Sequence, residues 1–316
     1  MNYFDFVKKS KKCVLRFFRH DSMLLEVYDQ DNERFRQRVG HDRTMSTYQI
    51  RLRGRGYVAD YVRQVYGCND FPLKRLSLAF IDGFCAWLSV CRGLHGGTVW
   101  LNCMLLKGVV RRACQGGLLK QNPFVAFHVP KNIRQRVFLT EEELGNLMSC
   151  KLSDEGLAYV RDLFVFSCYT GLSYVDVREL TVDEICTIKG GAWIVSRRHK
   201  TSVPFEVKLL DIPLKIVARY KVQRVSNYVF PPCEYRTLCN RLKRIMTLCG
   251  ISKPVTFHCA RHTFATLALS KGMPIESVSR ILGHTNIRTT QVYARITIDK
   301  LDRDMDMLAH RLSGKK

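Results

Sequence analysis

The sequence predicts a mainly α-helical protein with one small antiparallel sheet, divided into two domains. Residues 21 to 127 carry helical hydrophobic spacing, broken only at Gly40-His41-Asp42, Asn69 to Pro72 and His95-Gly96-Gly97. A positive, proline-containing stretch from His128 to Arg136 then separates this part from the remainder. In the second half, strand-like runs are confined to Ile185 to Leu210, with turns at Lys189-Gly190-Gly191 and Arg198 to Ser202. A chain of 316 residues with 46% hydrophobic side chains has room for two ordinary cores. The expected division is a basic segment at 1–20, a helical domain at 21–130 and a second domain at 136–316.

Taken in order, Met1 to His20 is basic and aromatic, with Lys8, Lys9, Lys11, Lys12, Arg16 and Arg19 clustered, and reads as a solvated tail or an arm touching a polyanion. Four helices are expected near 22–39, 43–66, 76–92 and 97–117. In the second, Tyr48, Leu52, Val58, Val62 and Val65 run along one side, and Arg51, Arg53, Arg55 and Arg63 occupy much of the rest. Gly54 and Gly56 weaken its middle. The fourth interleaves Lys107, Arg111 and Arg112 with Leu105, Val109 and Val110. The connector carries Lys131, Arg134 and Arg136, and Thr140-Glu141-Glu142-Glu143 has the form of a capping box that starts the next helix. Further helices are expected at Leu157 to Thr170, Ser173 to Leu180, Leu214 to Val222, Tyr235 to Cys249 and Pro274 to Leu282, with a short helical turn from Thr289 to Arg295. A last helix has Ile298, Leu301, Met305, Leu308 and Leu312 at steps of three and four, and Asp299, Asp302, Asp304 and Asp306 on its polar side.

The formal charge of +23 and a pI near 9.7 exceed what a small-molecule enzyme needs and point to a polyanionic partner, nucleic acid first. Arg51, Arg53, Arg55, Arg63, Lys107, Arg111, Arg112, Lys131 and Arg134 are the expected phosphate contacts of a clamp on double-stranded DNA. A membrane surface is the weaker alternative, because no apolar run approaches about 20 residues and Leu76 to Val90 is broken by Asp82. The amino terminus lacks the apolar core of a signal peptide, so a cytoplasmic, nucleoid-associated protein is expected. The 13 cysteines are scattered without a CxxC pair, which argues for reduced, apolar roles rather than zinc or disulfides.

The chemistry concentrates between Thr256 and Arg295. His258 and Arg261, three apart at the head of a helix, share a face and can reach one anion. Arginine presents a planar fork suited to a phosphate diester, and histidine can move a proton near neutral pH. Gly283-His284 ends the next helix, and Tyr293 follows nine residues later. A phenol is a poor nucleophile unless cations favour its anion, and Arg261, His258 and His284 supply them. His262, Tyr174 and Cys259 are read as packing residues.

The run His258-Cys259-Ala260-Arg261-His262-Thr263-Phe264-Ala265-Thr266, then Leu282-Gly283-His284, then Tyr293, resembles the tyrosine recombinase, or phage integrase, family. The wording from Tyr169 to Val177 is closest to integrases and invertases of Bacteroides and its relatives. The resemblance implies a two-domain DNA clamp: a helical, SAM-like core-binding domain followed by a catalytic domain. It implies conservative strand exchange through a 3′-phosphotyrosyl link on Tyr293. By the same resemblance, Arg261 and His284 are expected to stabilise phosphoryl charge, His258 to handle protons, hairpin Lys200 to protonate the leaving 5′-oxygen, and Asp176 to orient the site. No cofactor and no metal is expected, because side chains supply the neutralising charge. The family's first catalytic arginine directly follows Gly-Leu, where this chain has Ser173, and Arg178 is the expected source of the missing charge. The last helix is expected to dock in a neighbouring protomer of a DNA-bound homotetramer, with packing on its own chain as the other possibility. The short amino-terminal segment favours an invertase or transposon recombinase over an integrase that needs arm sites. The rival readings are a DNA-binding accessory protein that has lost chemistry and a type IB topoisomerase.

Overall fold

A computed structural model describes residues 22–128, 136–199, 202–222, 224, 226–294 and, near the carboxyl end, 302, 305–309 and 312. The contacts divide the chain into two compact units, Met1–Arg134 and Gln135–Lys316.

The first unit contains α1 (Leu24–Arg36), α2 (Met45–Tyr61), α3 (Leu78–Val90) and α4 (Gly96–Gln115), close to the four spans expected from periodicity. A π-helical turn, Val62–Tyr66, continues α2. Its core is aromatic: Tyr61 meets Phe80 edge-on with centroids 5.2 Å apart, and Phe84 and Trp87 pack beside them.

The buried side of α2 differs from the expected one in its first half. Leu52 is 44% exposed, whereas Arg51 is 7% exposed, and the expected apolar side becomes buried only from Val58 onward. Arg51 can turn inward because Asp31 and Asn32 of α1 receive its guanidinium, with Nε 3.1 Å from Asn32 Oδ1. Arg112 of α4 donates to the same carboxylate at 2.7 Å, so one aspartate ties three helices together. Gly54 faces this network, and a Cβ there would stand 3.0 Å from Leu105 and 3.1 Å from the Tyr28 hydroxyl. The glycine that weakens the helix locally permits the close approach of α4.

The second unit begins with the capping box at Thr140, where the side chain accepts from the Glu143 amide and Glu143 returns a bond to the Thr140 amide, opening α5 (Glu141–Ser149). Next come α6 (Glu155–Thr170), apolar and largely buried, and the short α7 (Tyr174–Arg178). Strands β1 (Ile185–Ile188), β2 (Gly191–Arg197) and β3 (Pro204–Lys208) pair antiparallel in sequence order. They lie within the predicted Ile185–Leu210 span, and Lys189 and Gly190 take the positive φ of the first turn. The remaining helices are α8 (Asp211–Arg219), α9 (Tyr235–Leu248), α10 (His258–Ser270), α11 (Ile275–Ile281) and α12 (Arg288–Gln291).

The core gathers around α6, which α9 and α10 cover; Phe164, Phe166, Phe230 and Phe257 are essentially inaccessible. Among the described residues no helix is long and apolar enough to cross a membrane, and the described cysteines are free thiols. The described part of the last helix, 305–309, is exposed, with Met305 at 57%.

Candidate active site

The site is assembled where the carboxyl ends of α6 and α11 meet α10. His258, Arg261 and His262 stand at i, i+3 and i+4 on α10 and therefore form one ridge. His258 is exposed while Arg261 and His262 are buried, so the ridge runs from solvent into the fold.

Arg261 is fixed by carbonyls. Its Nη1 donates to the Gly171 carbonyl at 2.9 Å, at the carboxyl end of α6, and its Nη2 donates to Leu282 at the end of α11. Both oxygens belong to helix ends that lack intrahelical partners and carry the negative pole of the helix dipole. Burial, with Arg198 nearby, pulls this guanidinium down to about 10, which leaves it charged at neutral pH.

Arg198, just beyond β2, lies on Asp176, where Arg178 is the arginine expected from the sequence. Its Nη1 lies 2.7 Å from Asp176 Oδ2, Nη2 donates to the Ile281 carbonyl, and the guanidinium carbon sits 3.9 Å from the centroid of the Phe205 ring. Asp176 also accepts from the Ser173 amide at 3.1 Å, the Ser173 hydroxyl at 2.8 Å and the His199 amide at 3.1 Å. Burial pushes this carboxyl up, but Arg198 and those donors outweigh it and hold the group below its ordinary value. Ser173 therefore acts as the N-cap of α7, and Arg198 brings a cation to the same carboxylate from the sheet.

Arg178, the expected substitute, points elsewhere. Its guanidinium pairs with Glu179 and lies over the Tyr174 ring at 5.8 Å. No linear spacing connects residue 198 to residue 176; only the folding of β2 against α7 joins them. Gly283, at φ +62°, makes room for the arrangement, because a Cβ there would lie 2.8 Å from Arg198 Cγ.

His284 follows directly, with Nδ1 2.8 Å from the hydroxyl of buried Thr290. If Thr290 donates, Nε2 carries the ring hydrogen and is available to an anion. Burial first, then Arg261, Arg198, Arg136 and His258, lowers His284 to about 4, so it is neutral near pH 7.

Tyr293, 9% exposed, completes the cluster. Its hydroxyl lies 2.7 Å from Arg136 Nη1 and 2.6 Å from His262 Nδ1. Arg136 precedes Leu139, whose amide donates to Thr263 of α10 at 2.9 Å and anchors the start of the unit to the site helix. His262 was read from sequence as packing; the structure corrects this and puts it on the phenol. The available signal was its i+4 spacing from His258. Arg136 had been grouped with a connector, and no sequence pattern tied it to residue 293.

Lys200, Lys131 and Arg134 lie outside the described residues. Of the other basic residues expected to track phosphates, Arg53, Arg63 and Arg111 are exposed. Arg51 and Arg112 are held by Asp31, Arg55 makes a two-point contact with Asp29 at 2.9 and 2.7 Å, and Lys107 donates to the Phe127 carbonyl at 3.0 Å. Among the described residues no group of three His, Cys, Asp or Glu side chains could hold a metal ion.

The site thus gathers Arg136, Arg198, Arg261, His262 and His284 around Tyr293, and comparison with known proteins gives the family. The Phage integrase family profile matches residues 137–299, and the Phage integrase SAM-like domain profile matches residues 23–129. The chain belongs to the phage integrase family. It is a site-specific tyrosine recombinase, an enzyme that acts on DNA by strand exchange. This recombinase is 48% identical over 267 residues to tyrosine recombinase XerD of Listeria monocytogenes, spanning 80% of this chain and 88% of that one. It is 30% identical over 216 residues to tyrosine recombinase XerC of Oceanobacillus iheyensis, or 63% and 70% of the two chains. Its fold is similar to the Tn1549 transposon integrase solved with a circular intermediate DNA, with a TM-score of 0.74 at 21% identity over 90% of this chain and all of that one. It is also similar to a lambda integrase dimer bound to a core site, with a TM-score of 0.69 at 17% identity over 88% and 81% of the chains.

Proposed function

We propose that Tyr293 is the nucleophile of this recombinase, attacking a DNA phosphorus to form a 3′-phosphotyrosyl link and free a 5′-hydroxyl. The observation that carries this reading is the Tyr293 hydroxyl, held 2.7 Å from Arg136 in the pocket where Arg261, Arg198 and His284 converge. Arg261 and His284 stabilise the charge that grows on the phosphoryl oxygens, His258 at the open end of the ridge assists proton transfer, and Lys200 protonates the leaving oxygen. Arg198 takes the role that Ser173 cannot fill, and Asp176 orients it. The link conserves the phosphoester, so another strand's 5′-hydroxyl reseals it without a nucleotide cofactor.

Arg53, Arg63 and Arg111 are the phosphate contacts of the first unit that this reading favours, with Lys131 and Arg134 in the connector. The enzyme acts as a homotetramer on duplex DNA, each last helix inserting into a neighbour. An apolar cavity of about 700 Å³ lined by Leu144, Met148, Phe264, Leu267 and Met273 supports this, as does the exposure of Met305, Leu308 and Leu312. The wording around Ser173 favours a Bacteroides-type invertase or transposon recombinase of the bacterial cytoplasm. Tyr293→Phe should bind duplex DNA normally and never become covalently trapped on a nicked suicide substrate. Trapping by this variant would assign the chemistry to another residue.

A further inference from the structure

We infer that His262 is the general base of cleavage, its Nδ1 taking the proton of the Tyr293 hydroxyl as the phenol oxygen attacks phosphorus. The inference rests on Tyr293 being the nucleophile, and it assigns the proton to a residue other than His258.

Three features of the geometry carry it. First, His262 touches the reacting oxygen at 2.6 Å, with ring centroids 5.3 Å apart. His258 meets His262 edge-on at 4.5 Å, one turn nearer solvent. Second, the other close group on that oxygen is Arg136, which can only donate. Arg136 therefore takes a lone pair of the oxygen, and the phenol's own hydrogen is left to point at His262 Nδ1. The neutral ring with its hydrogen on Nε2 satisfies this arrangement. Third, the phenol is buried, which pushes its pKa up against the opposing effect of Arg136 and Arg261, so it does not ionise unaided at neutral pH.

The groups facing His262 are His258 and Arg261 from its own helix, Arg136 from the start of the unit and Tyr293 from the turn after α12. Burial first, and then His258, Arg136 and Arg261, lowers His262 to about 3, so its lone pair is available throughout the physiological range. A phosphodiester anion arriving beside Arg261 offsets that positive field and strengthens the base when it is needed.

The step balances. The Tyr293 O–H bond breaks toward His262 Nδ1, and the phenol oxygen forms the bond to phosphorus. The bond from phosphorus to the 5′-oxygen breaks with its electron pair on that oxygen, which is protonated by the general acid. On resealing, the imidazolium returns its proton to the departing phenol oxygen.

The test is His262→Asn in the full chain, which keeps a hydrogen-bonding group near the Nδ1 position and removes the basic nitrogen. Duplex binding, thermal melting and the rate of covalent trapping on a nicked suicide substrate are measured from pH 5.5 to 9.5. We expect binding and melting close to wild type and trapping about 10²–10³ slower near neutrality, within the usual range for acid–base catalysis. The variant's rate should climb roughly tenfold per pH unit, because hydroxide must replace the lost base, while the wild-type rate stays flat. Trapping within threefold of wild type overturns the inference, and so does a slower rate whose pH profile parallels wild type. If the Asn variant does not fold, His262→Ala is assayed with added imidazole. Rescue proportional to imidazole supports the base, and its absence overturns it. Either result leaves the nucleophile assignment standing, since that fails only if Tyr293→Phe is still trapped.

Discussion

Arg198→Met is the perturbation that most directly tests the proposal that Arg198 supplies the charge missing at Ser173. The ion pair with Asp176 is 2.7 Å long, and both side chains are 6% exposed. Removing the cation leaves a buried carboxylate with the Ser173 amide, the Ser173 hydroxyl and the His199 amide as its donors. Breaking a buried pair from one side costs about 3–5 kcal/mol, because the remaining charge is uncompensated. The carbonyl of Ile281 loses its guanidinium as well, but the two losses share one side chain and do not add. We therefore expect about 3–5 kcal/mol of destabilisation in the second unit. Urea unfolding followed at Trp193, with Trp87 and Trp100 replaced by Phe, reads that unit.

Two controls make the reasoning specific. Adding Asp176→Asn to Arg198→Met removes the orphaned charge and should recover about half of the loss. The pH dependence has a definite sign: the carboxyl is held below its ordinary value in the folded state, so the pair's contribution is complete above the unfolded pKa of about 3.9. It disappears as pH falls through the folded value, so the gap between wild type and Arg198→Met should close in acid. Covalent trapping should fall by about 10²–10³, as for loss of one preorganised donor. The reasoning is refuted if Arg198→Met unfolds within about 1 kcal/mol of wild type, well short of that range, and traps at the wild-type rate. It is refuted equally if Arg178→Ala gives the larger trapping defect.

Four other outcomes are expected. His262 and His284, lowered to about 3 and about 4 chiefly by burial, bind fewer protons folded than unfolded below pH 6.5; stability should therefore fall as the medium is acidified through that range, and His284→Gln should flatten that slope in urea titrations at pH 4.5–7. Gly283→Ala, which puts a carbon 2.8 Å from Arg198 Cγ on a backbone with φ +62°, should slow trapping more than it weakens DNA binding, read by paired gel-shift and suicide-substrate assays. Duplex affinity should fall by about 10³–10⁵ between 50 and 200 mM salt if some 6–10 phosphates are contacted, and Arg111→Gln should reduce the salt slope by about one whereas buried Arg51→Met should not. Replacing Leu308 and Leu312 with Asp should abolish assembly on DNA, measured by light scattering, while leaving binding of a half-site intact.

What was legible in the sequence divides along a physical line. Helix spans, the three strands and the capping box are local properties, set by side-chain period and by hydrogen bonds three residues apart, and these appear close to where the spacing puts them. The ridge of His258 and Arg261 is legible for the same reason, since one helical turn fixes it. The partners that tune the site are not local. Arg198 reaches Asp176 across 22 residues, Arg136 reaches Tyr293 across 157, and each pairing exists only because the end of β2 reaches α7 or the start of the unit is anchored on α10. Charge on a helix face is similarly ambiguous. Arg51 and Arg53 are two residues apart on α2 and look equivalent as letters, yet Asp31 of another helix draws the first inside while the second stays exposed. A basic residue's role is thus decided by whether folding supplies a carboxylate within reach. Ser173 shows the same rule from the other side: the motif carries no arginine there, yet the fold brings Arg198 to the carboxylate that Ser173 also contacts.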